Sequence, residues 1–521
     1  MQITVPARRS RTRAPFPWGL TGLSGLIAIV VLVPLLFLVL NAGHAGWHEV
    51  FRLVFRRLTR VLLVNTIELA VGVAAGCAVL GTAAAWIIER TDVPFRTVWS
   101  VLIVLPVAIP DFVVGYAWHS VAPSVRGLGG ALLVMTLALY PLVFLPVAAA
   151  LRRADPAEEE VARSLGFGPL QTFLRVTLRQ IRPAVTGGCL VVCLALLAEY
   201  GAFEIVGFQT FTTTIFGQLQ NGFDPAGASG LSLVLVLIGM VVLGGEAGIN
   251  TRGRLSRVRG AGRPRIRSRL RPPRKTAATA VLAAVAAAGL GMPVGTLVYW
   301  MSASHATTLP GSSVWAALGH SAEYSAAAGL IATLLALPVS LLVVRYRSTA
   351  AVVLERSTYL VQCLPGLVIA LALVYFATNY AHPLYQTSTL LVVAYAILFF
   401  PLALICVKAS VAQAPRQLEE VARSLGQRRL GALVRVTLPL VAPGLGAAFC
   451  LVFLSAVTEL TATLLLVPTG VHTLATQFWA YQANAAYGAA APYAVVMVAL
   501  AAIPSYILTT WFDRRPAEVA L

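Results

Sequence analysis

Apolar runs long enough to cross a bilayer recur along almost the whole chain, and they leave few architectures open. A spanning helix needs about 20 apolar residues to cross roughly 30 Å of hydrocarbon. No backbone group can stay unpaired in that medium, so helices are the element that suits runs of this length. Twelve are predicted, at 20–40, 61–88, 97–121, 128–150, 184–206, 229–247, 277–301, 320–344, 357–377, 387–411, 442–467 and 489–512. A mean hydropathy of +0.82, with only 11% of the residues charged, agrees with an all-α membrane protein.

A net charge of +19 would suit a nucleic-acid partner, but the placement of the charge argues for no nucleic acid. Eleven of the 39 basic residues fall in Arg252–Lys275, which holds no acid. With a cytoplasmic N-terminus, 34 Lys and Arg lie inside and five outside (Arg52, Arg56, Arg57, Arg60 and Arg126). That is the positive-inside bias of a bacterial inner membrane protein with both termini cytoplasmic. The four arginines before the second run read as an interfacial helix reaching lipid headgroups. The first run follows Arg8, Arg9, Arg11 and Arg13 and is too long for a signal-peptide core, so it reads as a retained span.

Six cysteines lie in or at the ends of the runs without a CxxC pair, which supports neither a zinc site nor a disulfide framework. Cys189 and Cys193 share a helix face and read as packing residues. The seven histidines (His44, His48, His119, His305, His320, His382 and His472) map to the outer side and are too scattered to require a metal. No Ser/His/Asp group or catalytic carboxylate pair is present, and nothing calls for a cofactor.

Against this apolar background one polar segment is written twice. Glu159–Val185 and Glu419–Leu445 are identical at 14 of 27 positions, and both begin EEVARSLG. Tyr140-Pro141 matches Phe400-Pro401 at the same offset, Glu199 matches Glu459, and Leu105-Pro106 matches Leu364-Pro365 with a one-residue slip. The chain thus divides into a basic tail (1–19), a six-span repeat (20–247, loop 152–183), a basic linker (248–276), a second repeat (277–512, loop 412–441) and a tail (513–521). An even number of spans per half keeps the halves parallel and puts both loops on one side. The linker, rich in Arg, Pro and Gly, is expected to be irregular and to hold the join in the cytoplasm, with anionic lipid as a secondary partner.

Each loop is predicted to open with a short helix whose acids favour its N-terminal dipole, with Val161 and Leu165 on one face. Gly166 then takes a left-handed cap and Pro169 starts a second helix, whose Leu170, Phe173, Leu174 and Leu178 face the membrane domain. So short a helix is marginal alone and needs a partner surface. The second loop repeats the pattern with Glu420, Val421, Ala422, Leu425 and Gly426.

Glu160-Val161-Ala162 with Gly166, and Glu420-Val421-Ala422 with Gly426, resemble the EAA signature of permease subunits of binding-protein-dependent ABC importers. The signature's later x-Leu-Pro is matched at Thr437-Leu438-Pro439, whereas Arg179 replaces the proline after Thr177-Leu178, so a different bend is expected there. The resemblance covers both halves and implies a type I importer permease fold. It assigns ATPase coupling to Glu159, Glu160, Ala162, Gly166, Glu419, Glu420, Ala422 and Gly426. It further implies an ATP-binding subunit and a periplasmic or lipid-anchored binding protein as partners. The chain has no GxxxxGK[ST] loop, its lysines being Lys275 and Lys408, so hydrolysis belongs to another chain. Two nearly equal loops point to an ATPase homodimer.

For the cargo, Ala198–Leu219 and Val457–Trp479 resemble segments of ferric-iron permeases; thiamine and aminophosphonate importers share the fused architecture. Glu199 and Glu459 are the translocation-path candidates, because a carboxylate within a span is costly unless it is paired or wet. The reading that weighs more for the same residues is that each caps or braces a broken fifth helix through nearby backbone donors. Glu68 and Glu323 are related acids. A secondary transporter is the alternative class, but it has no use for duplicated docking loops.

Overall fold

The computed structural model describes residues 18–44, 48, 52, 55–154, 156–220, 225–254, 270–303, 311–346 and 348–518. The N-terminal tail up to residue 17, the centre of the linker and His305 lie outside the described residues. No strand occurs among the described residues; the chain is a helical bundle.

The first half runs through α1 (Trp18–His44), α2 (Arg57–Arg90), α3 (Arg96–Val104), α4 (Asp111–Val121) and α5 (Gly127–Arg153). It continues with the loop helix α6 (Pro156–Ser164), α7 (Leu178–Ala198), the short α8 (Gly201–Ile205), α9 (Phe211–Gln220) and α10 (Pro225–Arg254). The second half begins with α11 (Pro272–Ala286) and α12 (Met292–Ala303), then repeats the order: α13 (Ser312–Arg345), α14 (Thr349–Tyr359), α15 (Gly366–Tyr380) and α16 (Ser388–Gln413). It ends with the loop helix α17 (Arg416–Ser424), α18 (Leu438–Val457), α19 (Thr461–Leu466), α20 (Leu474–Ala483) and α21 (Tyr487–Glu518).

Among the described residues ten helices are long and apolar enough to cross a membrane, and two bent pairs, each counted as one span, raise the number to twelve. The bent pairs refine the sequence reading, which drew 97–121 and 357–377 as spans without marking a break in either. The third span turns by 93° between α3 and α4, and the ninth by 103° between α14 and α15. The cause is local: Ile109 and Leu364 each precede a proline, adopt extended backbone (ψ 123° and 112°) and end a 3-10 turn. Pro110 is therefore the counterpart of Pro365, and Leu105 of Leu360. The match of Leu105-Pro106 with Leu364-Pro365 is out of register.

Three further expectations change. The fifth and eleventh spans start earlier than drawn, at Phe173 and Leu430, and stop at Ala198 and Val457. Glu199 and Glu459 therefore stand just beyond helix ends. The linker is helical at both edges, since α10 continues to Arg254 and α11 begins at Pro272. Arg57 and Arg60 belong to the opening turn of α2 rather than to a separate interfacial helix.

The two halves exchange elements. Phe37 of α1 packs its ring 5.1 Å from Phe376 and 5.3 Å from Tyr380 of α15, in the other half. Reciprocally, Trp300 of α12 donates its indole N–H to Ser120 of α4 (3.0 Å), and Thr296 reaches Ala117 O (3.4 Å). Two hydrophobic cores follow from this exchange. One joins α2, α4, α5 and α7 with Leu282, Val285 and Leu297 of the second half. The other joins α13, α15, α16 and α18 with Ile27, Val31 and Leu38 of the first.

Candidate functional site

The two EEVARSLG helices end alike. Phe167 N–H bonds to Ala162 O and Gln427 N–H to Ala422 O, both at 3.1 Å, closing a Schellman-type cap. The cap needs a left-handed residue, and Gly166 (φ +88°) and Gly426 (φ +90°) supply it. The predicted caps are therefore found in both halves.

Within each loop the two glutamates separate. Glu160 and Glu420 are exposed, whereas Glu159 points inward and is buried, and Glu419 is half-buried. Glu159 Oε1 lies 3.1 Å from Arg90 Nη2 and accepts a hydrogen bond from Thr177 Oγ1 at 2.9 Å. Glu419 Oε1 repeats this with Arg345 Nη2 and Thr437 Oγ1, both at 2.7 Å. Each loop helix is thus pinned by its first glutamate to the last residue of the half's second span and to a threonine at the foot of its fifth. Such a carboxylate holds its place because charge, hydrogen bond and burial are satisfied together.

The threonines sit in π turns, Phe173–Thr177 and Leu433–Thr437, which occupy the same place in both halves. The expected difference between Arg179 and Pro439 is not observed, since the turn forms with or without the proline. Ala162 packs inward as well (4% exposed). What faces outward is apolar: Val161 and Leu165 are 58% and 71% exposed, and Val421 and Leu425 are 54% and 79% exposed. Leu174 is also exposed, against the expectation that it faces the membrane domain, while Phe173 packs its ring 5.7 Å from Trp86; the side chain of Leu170 lies outside those described. Each loop helix thus presents two large apolar side chains with no partner surface among the described residues over them.

Deeper in the bundle, both Glu199 and Glu459 cap short helices. Glu199 Oε1 accepts from Ala202 N–H (2.7 Å) and Glu459 Oε1 from Ala462 N–H (2.9 Å). The backbone carbonyls of the same residues each accept a threonine hydroxyl at 2.6 Å, from Thr212 and Thr463. The halves touch here: a Cβ on Gly201 would lie 2.8 Å from both Leu460 Cδ2 and Phe112 Cβ. Phe112 and Tyr116 pack on Phe478, with ring centroids 5.4 and 5.2 Å apart. Asp111, the first residue of α4, directly precedes Phe112, so Asp111, Glu199 and Glu459 all stand within two residues of Phe112, Gly201 and Leu460, which meet here. All three carboxylates are half-buried.

Sequence reasoning missed Arg90, Arg345 and Asp111. The two arginines were findable, because each closes the second span of its half at the same offset that relates Pro110 to Pro365. Glu68 and Glu323 are exposed on α2 and α13. No group of three or more His, Cys, Asp or Glu among the described residues is arranged to hold a metal ion. All six cysteines are free.

Residues 78–245 and 328–518 match the family model described as binding-protein-dependent transport system inner membrane component. The chain is 36% identical over 497 residues to the Fe(3+)-transport system permease protein FbpB 2 of Haemophilus influenzae, covering 94% of this chain and 98% of that protein. It is 28% identical over 232 residues to the sulfate transport system permease protein CysT of Salmonella typhimurium (40% of this chain, 83% of that one). A probable molybdenum ABC transporter permease protein of Haloferax volcanii is 30% identical over 258 residues (48% and 95%). The last two are spanned almost fully by about half of this chain, as two fused repeats require.

Proposed function

We propose that this chain, which belongs to the family of inner membrane components of binding-protein-dependent transport systems, imports ferric iron and is driven by two copies of one ATPase. Membership makes it a multi-pass permease subunit that works with an ATPase and a substrate-binding protein. The finer assignments are ours: the homodimer, the cargo, the inner membrane with both termini cytoplasmic, and the individual residues.

The observation that carries the reading is the duplicated brace. Arg90–Glu159–Thr177 and Arg345–Glu419–Thr437 hold two like helices, each offering an exposed valine and leucine. Two copies of one surface fit two copies of one partner. Closure of the ATPase pair pushes both loop helices, and the braces carry that push to the second and fifth spans of each half, rocking the halves about their contact. Glu159 and Glu419 act by holding the loops; Glu160, Glu420 and the exposed apolar residues meet the ATPase.

Iron is favoured over the oxyanions named for other relatives by the carboxylates at the contact between halves. Asp111, Glu199 and Glu459 attract a hard cation and repel sulfate or molybdate. Glu199→Gln with Glu459→Gln is expected to reduce uptake of radiolabelled ferric iron by about tenfold or more in membranes holding normal protein levels, a loss of roughly 1.4 kcal/mol or more. Uptake equal to wild type would remove these residues from the path, and co-purification with two different ATPases would remove the homodimer.

A further inference from the structure

A cavity of about 560 Å³ opens beside the first EEVARSLG loop. That is within the range of small-molecule sites, about 300–1,000 Å³. Its walls come from the last turn of α2 (Trp86 and Arg90), from Arg163 and Phe173 of the loop region, and from the start of α11 (Arg271 and Arg274). Four guanidinium groups therefore surround a space to which the lining contributes one carboxylate, that of Glu159.

The arginines are not all satisfied. Arg90 is 6% exposed, and although its Nη2 lies 3.1 Å from Glu159, its Nε has no hydrogen-bond partner. A buried donor left unpaired is costly. Arg271 and Arg274 are exposed and form no ion pair with an acid among the described residues. Nearby Asp92 is engaged elsewhere, accepting from Leu270 N–H (2.9 Å) and pairing with Lys275 (3.1 Å).

The opening beside the second loop differs. It is lined by Arg345, Arg416 and Glu420 with no aromatic residue. Arg345 pairs with Glu419 and leaves its Nε without a hydrogen-bond partner as Arg90 does, so the difference lies in the lining, where Arg416 pairs with Glu420 and nothing corresponds to Arg271 and Arg274. The first cavity instead has an apolar wall, where Trp86 and Phe173 meet edge to face at 5.7 Å. A planar guanidinium matches a phosphate's oxygens, and an aromatic wall covers the organic part that carries it. The cavity also sits where α2 ends and α11 begins, at the ends of two candidate spans.

We propose that the cavity beside the first loop binds a phosphate group, carried by an anionic phospholipid or by a soluble phosphoanion. Occupancy satisfies Arg90 and ties α11 to the first loop, giving one of the two docking loops a ligand its counterpart lacks.

The test uses the full-length permease. In one arm it is placed in phosphatidylcholine nanodiscs with or without phosphatidylglycerol, and the thermal unfolding midpoint is read. In the other, inorganic phosphate and pyrophosphate are titrated against the protein in neutral detergent. A stabilisation by phosphatidylglycerol that disappears in R271E/R274E identifies the headgroup as ligand. A saturable stabilisation by phosphate or pyrophosphate lost in the same variant identifies a soluble anion. R271Q/R274Q, which adds no negative charge, keeps the test open if the glutamate variant does not assemble. It should weaken the apparent affinity about thirtyfold, from two lost charges. R428E/R435E, on the second loop, should leave the effect intact. No stabilisation in either arm, stabilisation that survives both Arg271/Arg274 variants, or equal loss in R428E/R435E would overturn the assignment.

Discussion

In the first half Arg90, Glu159 and Thr177 pin the loop helix; in the second, Arg345, Glu419 and Thr437 do so with the same atoms. Where the halves meet, the caps at Glu199 and Glu459 still correspond, but their surroundings do not. Asp111 opens α4 in the first half, whereas Gly366 opens α15, with Glu459 Oε1 only 2.5 Å from where its Cβ would stand. Tyr395 of α16 bonds Thr463 at 2.5 Å, while the matching positions in the first half are Met135 and Phe203. On the function proposed above, the contrast separates two kinds of constraint. A surface meant for two copies of one partner must be made twice. A passage for one cargo is lined from two sides and has no need for matching sides.

Variants that remove the first glutamate of each loop press this comparison hardest. Glu159→Ala leaves the buried Arg90 unpaired and should destabilise the first half by roughly 3–5 kcal/mol. The Arg345–Glu419 pair is wetter, with side chains 10% and 24% exposed against 6% and 11% for the first pair. Glu419→Ala should therefore cost less, roughly 1–3 kcal/mol. Thermal unfolding of the two purified variants checks the order; equal losses would mean that burial does not set the strength of the brace.

Next in size is the docking surface. Leu165→Asp or Leu425→Asp removes an exposed apolar contact and should weaken ATPase retention about tenfold or more, from roughly 1.5–3 kcal/mol of lost burial, without lowering the unfolding midpoint. Similar losses from both loops support a homodimer, and a loss confined to one loop would argue for unlike ATPases.

Gly166→Val and Gly426→Val should each cost about 1–2 kcal/mol, because both caps need positive φ although space for a side chain is open. The readout is uptake per ATPase bound, which should fall alike in both.

The smallest effect is expected at Asp92, whose carboxyl is held below its usual range first by the Leu270 N–H and then by Lys275. A depressed carboxylate contributes stability above its unfolded value, and that contribution fades as pH falls through its folded one. The contact between Asp92 and the end of the linker should thus loosen only in acid, and Asp92→Asn should abolish that dependence in hydrogen exchange at Leu270.

Much of this was legible in the chain. The caps at Gly166 and Gly426 follow from local rules, since a left-handed residue closing a short helix is written in a few consecutive positions. The bends at Ile109-Pro110 and Leu364-Pro365 were equally visible, but hydropathy outweighed them because both limbs are apolar. The inward turn of Glu159 was hidden: its partner Arg90 belongs to another helix, and no periodicity links them. The carboxylates at the helix breaks were legible as caps from their position, and Glu199 and Glu459 do accept the N–H groups of Ala202 and Ala462; their neighbours across the contact required coordinates.

The exchange of first spans has a bearing on how the protein is made. The core that holds α2, α4, α5 and α7 stays incomplete until Leu282, Val285 and Leu297 have been synthesised and inserted. The amino-terminal half must therefore wait, partly built, in the bilayer for a helix that leaves the ribosome later. Assembly is then one late event for the whole chain, and splitting the gene between the halves would turn a folding step into an encounter between two molecules.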